Sequence, residues 1–429
     1  MSDARVGKPT MYLPKRSTVL ILCFVITTFA AAQFYALDGA MMQLLKDDDA
    51  GAYLKTEQWQ VESAVYVGLA ASPPAFGWFL VASGRAKLVL TAGLLVSSAA
   101  TLATPSRFLL GLQEANLARG ILGVGQGMIL VGLYSAISRW IPRQEYTRAV
   151  TFVASGTYAG MLVADLASSV LVSSDGWTGF FYWLGLTPLP FLCLFAYVFK
   201  DSPMQHTTIT QAELTYIRAN AILADKQTVS VVALLRCKEV WAAGVTWALF
   251  FCGCQTIYHV IPYFFMEVVW SDVSFAALII LLVASNITSM VLDFVIIKDR
   301  GALSGHDHNL RKTLGAGGML GCAVLMRAFC TAGHATTVRI LAFALGLVAL
   351  VFGFAGAPAG VLDVAPRQAP LIVGAAALPA AVLSVACTVG MRWVLDSTGS
   401  WQFVLSFNGV LLCIGAMVWG VWGTSDRCY

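Results

Sequence analysis

Charged residues are scarce in this chain, since only 12% of its 429 residues are Asp, Glu, Lys or Arg. A soluble domain typically carries about 25%. The hydrophobic share reaches 58%, and the mean hydropathy is +0.75. A water-soluble fold has no place for so much apolar surface, so we expect a lipid bilayer to cover it.

Other absences exclude several functional classes. The ten cysteines form no Cys-x-x-Cys pair, and Cys252 and Cys254 lie in an apolar run, so free thiols are expected. His306 and His308 alone make a poor metal site. The net charge of +4 does not favour nucleic acid as a partner. Neither a nucleotide-binding motif nor a nucleophile–base pair is found, so we expect no cofactor, no metal and no enzymatic reaction.

Long apolar runs are what the chain has instead, and each is close to the 20 or so residues that a membrane-spanning helix needs. They lie at 17–37, 60–82, 86–105, 109–136, 148–171, 177–199, 239–265, 273–296, 313–332, 336–361, 370–395 and 401–423. The first run ends at Asp38 without a small-residue cleavage pattern, so we interpret it as a span rather than a signal peptide.

The distribution of positive charge predicts the orientation. If both termini are cytoplasmic, most of the 27 Lys and Arg residues fall in cytoplasmic segments, and the acidic run 47–49 falls outside. The sequence therefore predicts a multi-pass protein with both termini in the cytoplasm. The plasma membrane and an internal vesicular or lysosomal membrane both stay open.

An internal repeat predicts two halves. Trp140-Ile-Pro-Arg-Gln144 matches Val364-Ala-Pro-Arg-Gln368, and Gly176-Trp177 matches Ser400-Trp401 at the same offset. The longest polar stretch divides the halves and contains Thr210-Gln-Ala-Glu213, a capping-box pattern before a short helix. The predicted parts are a cytoplasmic segment 1–16, a six-helix bundle 17–199, a cytoplasmic central loop 200–238, a six-helix bundle 239–423 and a cytoplasmic tail 424–429.

Several motifs carry a family likeness. They include Arg119-Gly with Gln126-Gly127, Trp140-Ile-Pro142 and Leu362-Asp-Val-Ala-Pro-Arg367, and they continue in segments 176–182 and 201–217. These stretches resemble the anion–cation symporters of the major facilitator superfamily, which include sialin, vesicular glutamate transporters and sodium-phosphate cotransporters. The resemblance implies an all-α membrane protein with twelve transmembrane helices in two pseudo-symmetric six-helix bundles.

Three departures affect the inferred chemistry more than the fold. The loop 77–85 lacks the acid that the superfamily usually has there. Tyr35 lies near the place of the family's first-span arginine, and Gln126 stands where the family has a fourth-span glutamate. A glutamine does not take up a proton at working pH, so that route of coupling is closed.

Arg119 is the leading candidate for substrate binding. A charged side chain inside a bilayer is costly, so it marks a functional site by default. Its guanidinium suits a carboxylate or phosphate, whereas the structural alternative is an ion pair with Glu114 or another acid. Tyr35, Gln126, Gln255 and Tyr258 are further hydrogen-bonding candidates for the substrate.

Coupling to protons or sodium needs a group that titrates or binds a cation. Glu62 at the start of the second span is the preferred candidate, followed by Asp38 and Asp165. His259 in the seventh span is a further proton site, although a buried histidine is more often a packing residue.

Charged residues at cytoplasmic helix ends are predicted to gate the protein. Ion pairs there would hold one face closed and break as the halves rock. The candidates are Arg139, Arg143, Asp293, Asp363 and Arg367.

The sequence thus predicts a monomeric secondary active transporter of a small anion, of the carboxylate, sialate or phosphate class. A non-transporting receptor or scaffold on the same fold is one alternative, because several family acids are missing. A facilitator of a neutral solute is the other.

Overall fold

The computed structural model describes residues 14–44, 48–174, 176–220, 236–268, 306–331, 336–354, 356–398 and 401–423, with Val283 and Ile287 between them. These residues form helices and no strand. Eleven helical stretches among them are long and apolar enough to cross a membrane. Of the predicted spans, 273–296 falls outside the described residues except at those two positions. The predicted all-α membrane fold is confirmed.

The first half begins with a membrane-spanning helix that is followed, after a one-residue break, by a short helix. Its helices are α1 Lys15–Phe34, α2 Ala36–Leu44, α3 Asp48–Ser83, α4 Ala86–Leu110, α5 Leu112–Trp140, α6 Tyr146–Ser174, α7 Gly176–Leu186 and α8 Pro188–Val198. A short helix, α9 Gln211–Asn220, follows in the central segment.

The second half also contains one interrupted span, made of the helices Thr336–Gly353 and Ala357–Val364. Its helices are α10 Lys238–Val268, α11 His306–Thr331, α12 Thr336–Gly353, α13 Ala357–Val364, α14 Ala369–Thr398 and α15 Trp401–Trp422. The end of the molecule that holds Lys15, Trp140 and Asp363, which the sequence predicts to be cytoplasmic, is called the inner end below.

Glycines bring α5 against α3 at backbone distance. A Cβ at Gly123 would overlap the carbonyl of Val65, and one at Gly68 would overlap the carbonyl of Gly120. In lipid there is little hydrophobic force between helices, so such close packing supplies much of their attraction. These contacts hold Arg119, which lies on the same stretch of α5, at a fixed depth.

We expect Gly123→Ala to destabilise the first half, because the new methyl group must push α3 and α5 apart. Overpacking of this kind costs about 1–3 kcal/mol. Gly317→Ala is the matched control, because no atom lies within 4 Å of a Cβ built at that position. Thermal unfolding of the two purified variants measures the difference, and equal midpoints would contradict the packing argument.

The two halves meet where α3 crosses α14. Gly77 faces the carbonyl of Pro370, and Gly374 faces the carbonyl of Pro73, so each helix offers a glycine to the other's backbone. Small residues on both sides let the helices lie close together. The contact forms one wall of the space between the halves.

Carboxylates of the central segment cap two spans at the inner end. Glu213 of α9 accepts hydrogen bonds from the backbone N–H groups of Lys15 and Arg16, at 3.1 and 3.0 Å. Asp201 accepts one from the N–H of Lys87, at 2.7 Å. The first N–H groups of a helix lack intrahelical partners and carry the positive end of its dipole, so these carboxylates stabilise both helix starts.

Further contacts fix the central segment to the first half. Glu145 accepts hydrogen bonds from Arg16 at 3.0 Å and from Tyr216 at 3.1 Å. Partial burial and the charges of neighbouring lysines lower the pKa of His206, so its imidazole is neutral near pH 7. The neutral ring packs edge-on against Trp140, with ring centroids 6.0 Å apart.

Candidate functional site

A cavity of about 200 Å³ lies between the two halves, among α1, α5, α6 and α10. Four of the five residues predicted to bind substrate line it, namely Tyr35, Gln126, Gln255 and Tyr258. Aromatic side chains form much of the remaining wall. None of the described residues that line the cavity carries a charge.

The interruption of the first span positions Tyr35 in this cavity. Helix α1 ends at Phe34 and α2 begins at Ala36, with Tyr35 between them at φ −89° and ψ 5°. The Tyr35 hydroxyl donates to Gln255 of the second half at 2.5 Å. The break therefore turns a first-span side chain toward the partner half.

Two more hydrogen bonds cross between the halves around the cavity. Tyr258 donates to Tyr158 at 2.9 Å, and the Trp247 indole donates to Tyr134 at 3.0 Å. All four side chains are at least nine-tenths buried. Buried pairs of this kind stabilise one relative position of the halves, because separating them leaves polar groups without partners.

Gln126 is held at the cavity wall by the backbone. Its amide donates to the carbonyl of Ala30 at 2.9 Å, which joins α5 to α1. The amide oxygen keeps acceptor capacity for a donor on a bound solute. This arrangement fits the hydrogen-bonding role predicted for the residue.

Arg119 does not line the cavity but lies directly behind its wall. The side chain is buried, with 2% of the residue exposed, and one guanidinium nitrogen donates to the carbonyl of Phe34 at 3.2 Å. Phe34 itself lines the cavity. The alternative pairing with Glu114 is not what the structure has, because Glu114 pairs with Arg107 at 2.8 Å.

Acidic side chains gather around the same place. The phenol of Tyr66 interacts electrostatically with Asp38, Glu62 and Arg119 together. Asp165 interacts in turn with Asp38. Three of the four predicted coupling residues therefore lie in one electrostatically linked part of the first half, and two of them act on the same phenol as the guanidinium.

Glu62 is the most enclosed of these acids, with 5% of the residue exposed. The side-chain amide of Gln58 donates to one of its carboxylate oxygens at 2.5 Å. This hydrogen bond orients the buried carboxylate within the first half. The fourth coupling candidate, His259, lies in α10, but its side chain is outside the described residues.

An ion-pair cluster joins the halves at the inner end. Asp363 is fully buried and lies between two guanidinium groups, Arg143 of the first half at 3.4 Å and Arg311 of the second. Arg311 also donates to the carbonyl of Arg143 at 3.4 Å. Sequence reasoning placed Arg143 and Asp363 here and missed Arg311, although its Arg-Lys motif at the start of a span was an available signal.

The other predicted gating residues are arranged differently. Arg139 donates to the carbonyl of Gly84 at 2.7 Å. Arg367 is exposed and forms no ion pair within the described part of the chain. Asp293 lies outside the described residues. The same described ranges contain no group of three His, Cys, Asp or Glu side chains that could hold a metal ion.

Comparisons with known proteins agree with this architecture. Residues 19–376 match the Major Facilitator Superfamily. The chain is 25% identical to the probable anion transporter 4, chloroplastic, of Oryza sativa subsp. japonica, over 96% of this chain and 69% of that one. It is 23% identical to the sodium-dependent phosphate transport protein 1, chloroplastic, of Arabidopsis thaliana, over 96% and 80% of the two chains.

A solved structure supports the fold directly. The proton:xylose symporter XylE, bound to 6-bromo-6-deoxy-D-glucose, superposes with a TM-score of 0.73 at 16% identity, over 96% of each chain. The similarity confirms the fold that the repeat and the motifs predicted. The chain belongs to the major facilitator superfamily.

Proposed function

We propose that the protein is a secondary active transporter that moves an organic or inorganic anion across the membrane by alternating access. The observation that carries this proposal is Arg119, buried behind the cavity wall against the carbonyl of Phe34. An ionisable side chain at that depth is a functional-site candidate by default, and a guanidinium suits a carboxylate or phosphate. The names of the relatives, an anion transporter and a phosphate transporter, support the same substrate class.

Anion binding and proton uptake can be coupled through the charge balance of the site. In this conformation the carboxylates of Asp38 and Glu62 share the surroundings of Arg119. An anion that binds the guanidinium brings negative charge close to both acids. If one acid takes up a proton at the same time, the total charge of the site stays constant, so binding of the two becomes mutually favourable. Glu62, Asp38, Asp165 and His259 are the candidates for this step.

The central cavity holds the rest of the substrate. Tyr35, Gln126, Gln255 and Tyr258 provide hydrogen-bonding groups from both halves. The cluster of Arg143, Asp363 and Arg311 closes the inner end and opens when the halves rock apart, whereas Arg139, Arg367 and Asp293 are secondary gating candidates. The domain bounds, the cytoplasmic position of both termini, the monomeric state and the choice of proton or sodium belong to this proposal too.

A facilitator of a neutral solute is the second candidate, because no described residue lining the central cavity is charged. A neutral polar solute would use the tyrosines and glutamines and would have no need of Arg119. Transport that is indifferent to both the pH gradient and Arg119 would favour this candidate.

Uptake by the full-length protein in proteoliposomes tests the proposal. We expect accumulation of labelled phosphate, glutamate or another carboxylate when a pH or sodium gradient is imposed. The Glu62→Gln variant should still exchange the anion but lose the response to the pH gradient, because a glutamine does not titrate. Glu114→Gln, which alters an exposed acid, is the matched control.

Two outcomes would contradict the proposal. If no anion is taken up under any gradient while partner proteins bind the purified chain, it acts as a scaffold. If Glu62→Gln accumulates the anion as the unaltered protein does, coupling does not depend on that carboxylate.

A further inference from the structure

A second, smaller cavity lies beside the central one and shares Gln255 with it. Its volume is about 10 Å³, which is close to the space that one water molecule needs. Helix α3 contributes Tyr66, and helix α10 contributes Gln255 and Thr256. Helix α14 completes the wall, mainly with Ser384, Cys387 and Thr388.

Three of the four hydroxyl groups in this wall already use their protons. Thr256 donates to the carbonyl of Cys252 at 3.0 Å, Ser384 donates to that of Ala380 at 2.9 Å, and Thr388 donates to that of Ser384 at 3.0 Å. A hydroxyl has one proton and two lone pairs. Each oxygen therefore has only lone pairs left for the cavity.

Two neighbouring pairs of groups are already in contact with each other. The side-chain oxygen of Gln255 accepts from Tyr35, so its carbonyl end lies where the halves meet. The sulfurs of Cys252 and Cys387 lie 3.5 Å apart and contact each other. A small space with the lone pairs of three hydroxyl oxygens on its wall favours a positively charged occupant.

The field at this cavity also favours a cation. The phenol of Tyr66 interacts with two acids, Asp38 and Glu62, and with one base, Arg119. When both acids are ionised, their sum with the arginine is negative. In the low dielectric between the helices this imbalance attracts a cation more strongly than it would in water.

We propose that the small cavity binds a monovalent cation of about the size of sodium, through the oxygens of Thr256, Ser384, Thr388 and Tyr66. Calcium and magnesium normally require carboxylate ligands, which this wall lacks among the described residues. The ligands come from both halves, so the bound cation stabilises the conformation in which α3 lies against α10 and α14. Its use as a coupling ion rests on the proposed transport function, whereas its binding does not.

A sodium titration of the purified full-length protein tests the site. Sodium chloride replaces choline chloride at constant ionic strength, with no anionic substrate other than chloride, and the midpoint of thermal unfolding is recorded. We expect a saturable rise that potassium does not reproduce. Thr388→Val keeps the side-chain shape and removes one oxygen ligand, so it should need roughly tenfold more sodium for the same rise.

Thr101→Val is the matched control, because Thr101 is equally buried, donates to the carbonyl of Ser97 at 2.8 Å and lines neither cavity. Ser384→Ala is the second variant if Thr388→Val does not fold. A wild-type midpoint that ignores sodium would mean that the cavity holds only water. An unchanged titration in both site variants would place the cation elsewhere, and either result overturns the proposal.

The sodium titration tests the cation site independently of the transport proposal. The titration contains no phosphate or carboxylate, so its failure leaves uptake of those anions to be judged by the proteoliposome assay. Conversely, a protein that carries no anion but shows the specific sodium response would keep the site and lose the transport function.

Discussion

The Arg119→Ala variant is expected to take up the anion roughly a hundredfold more slowly than the unaltered protein at low substrate concentration. Two charge-assisted hydrogen bonds from the guanidinium are worth about 3 kcal/mol or more in a site that excludes water. Alanine supplies neither bond, and it leaves Asp38 and Glu62 to repel the anion. Initial rates of uptake into proteoliposomes measure the loss.

Controls separate this loss from damage to the fold. Arg119→Lys keeps the charge but not the planar pair of donors, so we expect an intermediate rate. Arg327→Ala removes an exposed side chain that donates to Ser406 at 3.5 Å, and this variant should transport normally. Uptake by Arg119→Ala at the normal rate would disprove the proposed role and favour the neutral-solute facilitator.

The Asp363→Asn variant is expected to lose the closed inner end. Its carboxylate is the anion between Arg143 and Arg311, and it is fully buried. Removing one partner of a buried ion pair typically costs about 3–5 kcal/mol. Because Arg143 and Arg311 belong to different halves, the remaining repulsion pushes the halves apart at this end.

The thiol of Cys254 reports this opening, because it lines the central cavity and is 4% exposed. We expect a water-soluble maleimide to label it at least several-fold faster in Asp363→Asn, and Cys254→Ser in the same background identifies the labelled residue. Glu114→Gln breaks an exposed ion pair worth about 1 kcal/mol or less, so it should label slowly. Slow labelling in Asp363→Asn would show that other contacts close the inner end.

The spans were predictable because apolar length alone identifies them. The fourth apolar run was placed at 109–136, and the helix is Leu112–Trp140. Hydropathy locates the middle of such a helix, but its ends depend on local backbone geometry, such as the extended residue Ile141 that ends this one. The predicted ends of this helix are therefore wrong by a few residues.

The break at Tyr35 was not predictable from its neighbours. Neither glycine nor proline lies between Ala30 and Asp38, so no local signal marks an interruption. The residue was singled out only through the family comparison. Packing against the second half, through the hydrogen bond to Gln255, accompanies the break and could not be deduced from one segment.

The positions of side-chain hydroxyls relative to the cavities could not be predicted from local sequence either. Serine and threonine in spans usually bond to the carbonyl four residues earlier, as Thr101 and Thr388 both do. The sequence gives no means of telling the one that faces a cavity from the one that does not.

Thr210 and Glu213 were predicted as a capping box, and the N–H of Glu213 does donate to Thr210 at 3.3 Å. The carboxylate of Glu213 also caps α1, but that cap is a tertiary contact.

The attachment of segment 200–220 to the first half changes what connects the two bundles. Since Asp201 and Glu213 fix it to α4 and α1, the covalent tether is shortened to residues 221–237, a reach of at most roughly 60 Å. That length still permits rigid-body rocking without stretching the chain. A reporter domain inserted between Asp201 and Glu213 would therefore pull on the starts of two helices, α4 and α1.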